Sequence, residues 1–100
     1  MINVIQVEVT EKDVRLANRL LGNPNAAKAS SCPVALAVRR AAKTTDVSVI
    51  DASYIRIGYE YYKPSRREDV QDLIYRFDSG LLEHSVRPAG LPFNFFLFEE

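Results

Sequence analysis

A chain of 100 residues, 47% hydrophobic and 26% charged, is the size of one domain: too apolar for disorder and too short for two cores. Thirteen basic and thirteen acidic side chains cancel, which excludes a strong global pull toward nucleic acid. A single cysteine excludes an internal disulfide, and no apolar run approaches the roughly 20 residues of a membrane span.

Residues 2 to 9 alternate in polarity, with Ile5, Val7 and Val9 on one face, and predict a strand, not a signal peptide. The cytoplasm is therefore the expected compartment. Thr10 is an N-cap with Asp13 three residues later, and Val14, Ala17, Leu20 and Leu21 follow at helical spacing to Gly22, giving a helix over about 11–21. Residues 22 to 25 read as a turn. Ser30 or Ser31 caps a second helix over about 33–43, opened by Pro33 and carrying Val34, Ala37, Val38 and Ala41 on one narrow face.

Residues 47–51 and 54–62 are rich in β-branched and aromatic residues and predict a hairpin joined at Ala52-Ser53. Strict alternation places Ile55, Ile57, Tyr59 and Tyr61 together, with Tyr54, Arg56, Gly58 and Glu60 opposite. Pro64 ends the second strand, Ser65 caps a third helix, and Val70, Leu73, Ile74 and Phe77 form its apolar stripe before Gly80. After Pro88, Gly90 and Pro92, residues 93–98 form a strand apolar on nearly both faces, which suits an interior position or one covered by a partner. The expected architecture is one α+β domain ordered β-α-α-β-β-α-β, a four-stranded and mainly antiparallel sheet with its helices on one face.

Little in this pattern points to catalysis. Cys32 and His84 are the only residues of their types, and Cys32 at a helix start beside Pro33-Val34-Ala35 reads as a structural thiol. His84 reads as a surface loop residue. No pair of histidines or cysteines has metal-ligand spacing, and the four glycines stand apart from one another, so neither a metal, a cofactor nor a phosphate loop is expected.

Charge is nevertheless uneven. Residues 11 to 43 hold seven basic side chains against two acidic ones, and residues 44 to 100 hold six against ten. Arg15, Arg19, Arg39, Arg40 and Lys43 would cluster if the first two helices pair. Tyr54 and Tyr62, together with Tyr59 and Tyr61, are too many for one sheet face, and exposed tyrosine beside arginine is typical of interfaces. These residues are the expected partner-binding surface, and reversing Arg39 and Arg40 to Glu is expected to leave the fold intact.

The run Cys32-Pro33-Val34-Ala35-Leu36-Ala37, with Phe77-Asp78-Ser79-Gly80 and Pro92-Phe93-Asn94-Phe95 near the end, resembles a group of small proteins carried by bacteriophages and prophages. The resemblance carries no catalytic residues. It implies a non-catalytic accessory protein that binds and inhibits a host protein or protein–nucleic-acid complex, as an anti-CRISPR or other anti-defence inhibitor does. The alternative is a nucleic-acid-binding accessory protein using the basic helices. A homodimer is compatible with either.

Overall fold

The computed structural model describes residues 4–21, 32–51, 54–78 and 91–100. The turn at 22–25, the 52–53 connection, Gly80 and His84 lie outside them. The elements are β1 (Val4–Val9), α1 (Glu11–Leu21), α2 (Pro33–Ala42), β2 (Val47–Asp51), β3 (Tyr54–Ile57), β4 (Glu60–Pro64), α3 (Arg67–Asp78) and β5 (Phe93–Glu99). The sheet has five strands, one more than expected, in the order β1-β5-β4-β3-β2, and each neighbouring pair is antiparallel.

The extra strand arises within residues 54–62. Ile57 pairs with Glu60 across Gly58-Tyr59, so two residues suffice to reverse the chain. Gly58 takes φ +60, the left-handed conformation that such tight hairpins require and that only glycine adopts without strain. A two-residue turn also shifts the parity of the alternation. Ile55 lies opposite Tyr62, so Tyr62 and Pro64 join the core face, and Tyr59 and Tyr61 do not.

β5 is interior, held between β1 and β4. Its burial alternates: Phe93, Phe95 and Leu97 point into the core, while Asn94, Phe96 and Phe98 face outward. Val7, Val9, Val47, Val49 and Ile55 complete the inner face of the sheet. α2 lies across that face, touching β1, β2, α1 and α3, and is buried from Pro33 to Val38. Its small side chains allow this close approach, and each buried Val or Leu contributes about 1.5–3 kcal/mol. α3 adds Val70, Leu73 and Phe77.

The caps differ in part from the expected ones. At α1, the Thr10 amide donates to Asp13 Oδ2 at 2.8 Å, the carboxylate half of a capping box, while the Thr10 hydroxyl donates to the same oxygen at 3.1 Å and the Asp13 amide donates to the Thr10 carbonyl. At α2 the N-cap is Cys32, whose Sγ accepts from the Ala35 amide at 3.4 Å. Ser65 does not cap α3. Its amide donates to the Phe96 carbonyl at 2.7 Å and its Oγ accepts from the Phe96 amide at 2.8 Å, extending the β4–β5 ladder. Arg66, at φ 52, precedes the helix instead, and its carbonyl accepts from Val70. Among the described residues, no helix is long and apolar enough to cross a membrane.

Candidate binding surfaces

The expected basic residues divide into those the fold uses and those it leaves exposed. Arg40 belongs to the first group. Its guanidinium contacts both carboxylate oxygens of Asp13 and donates from Nη2 to the Glu8 carbonyl at 2.6 Å, which ties α2 to α1 and to the edge strand β1. The Asp13 side chain is only 5% exposed, against 52% for Arg40. Hydrogen bonding to Asp13 raises the Arg40 pKa further above its ordinary value, partly offset by desolvation. Arg40 is thus a structural clamp, which corrects the expectation that its reversal leaves the fold intact.

Arg15 is paired with Glu11 at 3.5 Å, four residues apart on exposed helix surface. Lys12, Arg19 and Lys43 are exposed and have no acidic partner among the described residues. Lys43 ends α2 in the left-handed conformation, with φ 57. Arg39, Arg40 and Lys43 line one shallow depression with Thr44 and Thr45. Both acids of α1 are already engaged, so the α1–α2 side carries uncompensated positive charge.

The tyrosines do not join this patch. Tyr62 is 7% exposed in the core, and its placement among the partner-binding residues is corrected accordingly. Burial raises its phenol pKa, and the charges of Glu99 and Glu60 raise it further. Tyr54 lies on the sheet face turned away from the helices. There Lys63 Nζ sits 5.8 Å from its ring centroid, and the two residues line a hollow of about 340 Å³ with Pro64 and Arg67. The arginines of α1 and α2 are therefore on the opposite side of the sheet from Tyr54, whereas Arg67 of α3 shares its hollow.

Reading the sequence for charge missed the remainder of that outer face. Val4, Tyr61, Phe96 and Phe98 stand on it, exposed by 50%, 45%, 44% and 42%. The signal was present in β5, whose apolar residues occupy both parities. Tyr59, fully exposed at the hairpin tip, is separate from this group.

Cys32 is buried and its sulfur is occupied as a cap, while His84, the other half of the only conceivable thiol–imidazole pair, lies outside the described residues. No family model, no curated protein and no solved structure matches the chain.

Proposed function

We propose that this chain is a non-catalytic, phage-type accessory protein that binds and inhibits a host protein machine, and that the α1–α2 side makes the contact. One observation carries the reading: Lys12, Arg19 and Lys43 lack acidic partners among the described residues, while Glu11 and Asp13 are consumed by Arg15 and Arg40. A chain of zero net charge thereby presents one locally positive side, suited to an acidic protein surface. Arg39 and Lys43 border a depression with two threonine hydroxyls, so the surface offers hydrogen bonds as well as charge.

The test is affinity capture from bacterial lysate with the wild-type chain and with an Arg19→Glu/Lys43→Glu variant, which spares Arg40. The variant should retain its circular dichroism spectrum and bind the captured protein at least about tenfold more weakly, roughly 1.4 kcal/mol. Equal affinity in a folded variant would remove the contact from this side. Retention of nucleic acid instead, with an affinity falling steeply as salt rises, would favour the nucleic-acid-binding reading.

A further inference from the structure

The tip of the β3–β4 hairpin carries a side chain that the fold does not use. Tyr59 is 100% exposed. The turn needs glycine at position 58, for its φ of +60, and makes no demand at position 59 that a tyrosine meets. Small polar residues ordinarily serve there. A ring held wholly in water removes no apolar surface from solvent and so adds nothing to stability.

The tip is nonetheless held firmly. Arg56 Nη1 donates to the Gly58 carbonyl at 2.7 Å and to Asp46 Oδ1 at 2.9 Å, and the Gly58 amide donates to the Asp46 carbonyl at 2.9 Å. Asp46 is fixed in turn, its amide donating to Thr44 Oγ1 at 3.2 Å. A tyrosine on pre-ordered backbone has only its own two side-chain torsions to lose on binding, which lowers the cost of association.

The same bonds set the tip beside the basic depression. Thr45 borders that depression, Asp46 follows it, and the Asp46 carbonyl holds Gly58, the residue before Tyr59. Tyr59 does not line the depression, but this connection limits the Cα atoms of Thr45 and Tyr59 to about 13 Å apart. A standard interface of roughly 800 Å² per partner covers both. Charge at this end follows a pattern. Lys43 is exposed with no acidic partner among the described residues, Arg56 and Asp46 neutralise each other, and Glu60 beside the ring is exposed. A matching surface is therefore acidic toward the depression and apolar where it meets the ring.

We propose that Tyr59 is the aromatic anchor of the target contact, filling an apolar pocket on the host protein whose rim is acidic where it faces Lys43, Thr44 and Thr45. This rests on the α1–α2 reading above and extends that contact to the hairpin tip. A few buried aromatic anchors carry most of the energy of such interfaces, while flanking charges set orientation and association rate.

The test uses the captured protein, purified, against the full wild-type chain and single variants. Tyr59→Ala should keep the wild-type thermal midpoint, since the ring has no contacts to lose, yet bind at least about 30-fold more weakly. Tyr59→Phe, which keeps the ring, should lose far less, and Tyr61→Ala on the outer sheet face should change little. A p-benzoylphenylalanine at position 59 should photo-cross-link to the captured protein, and one at position 61 should not. Full affinity in Tyr59→Ala, with Arg19→Glu/Lys43→Glu weakened, would overturn the anchor and leave the α1–α2 contact standing. Weakening by Tyr59→Ala alone would support the anchor and remove the α1–α2 contact. A chain that captures no protein would overturn both. Retention of single-stranded oligothymidine through Tyr59 in place of a protein would overturn the proposal too, and would assign the ring to stacked bases.

Discussion

Replacing Arg40 with alanine isolates the most consequential contact in the fold. The substitution removes donors to both oxygens of Asp13 and to the Glu8 carbonyl, and leaves a carboxylate that is 5% exposed with only the Thr10 amide and hydroxyl. Breaking a fully buried ion pair by deleting one partner costs about 3–5 kcal/mol. Arg40 itself is half exposed, so water reaches the vacated site and the expected cost falls to about 2–3 kcal/mol. For a domain this size that is a loss of roughly 10–20 °C in thermal midpoint. Reversal to glutamate, which sets a second carboxylate beside Asp13, should cost more. Thermal melts followed by circular dichroism measure the loss, and a double-mutant cycle with Asp13→Asn should show coupling above about 1 kcal/mol. An Arg40→Ala midpoint within about 2 °C of the wild type would refute the clamp, since that is the range of ordinary surface changes.

Deleting residues 93–100 should leave an insoluble or molten chain, because β1 has no sheet partner other than β5 among the described residues and the core loses Phe93, Phe95 and Leu97; a well-dispersed NMR spectrum of the truncated chain would contradict this. Cys32→Ala should keep partner binding and lose about 1 kcal/mol through the missing cap, whereas loss of binding in a normally stable variant would show the thiol to be functional. Tyr62 gives a pH dependence of determined sign. Its folded pKa lies above the unfolded value of about 10, so the folded state holds the proton more tightly. Stability from this group is complete below about pH 10 and is lost as pH rises past it. Urea midpoints of the wild type should therefore fall more steeply than those of Tyr62→Phe above about pH 10, and parallel slopes would show that the ring is not desolvated.

Much of the architecture is legible in the residues. The Thr10–Asp13 pairing, the stripe of Val70, Leu73 and Phe77, and the double-sided apolar character of β5 are local signals, and each corresponds to an observed feature, although Thr10 pairs through its own amide and not through a hydroxyl bond to the Asp13 amide. The fifth strand was hidden because Tyr59, Tyr61 and Tyr62 satisfy either parity, so alternation alone cannot reveal a turn at Gly58. Ser65 was misread for a different reason. Its hydroxyl suits a helix cap, but β5, 31 residues away, offers it a ladder position. The basic patch was visible as composition, yet only tertiary contact could show that Arg40 is consumed by Asp13. Cys32 likewise looked like filler and proves to be the cap that the preceding serines were expected to supply.

The account places target contact on the α1–α2 side, and amide chemical shifts of the isotope-labelled wild-type chain followed over added target protein test that placement most directly. Adding the captured target should move Arg19, Arg39 and Lys43 while Tyr61, Lys63, Phe96 and Phe98 hold. Shifts at Phe96 and Phe98 with Arg19 and Lys43 unmoved would contradict the assignment.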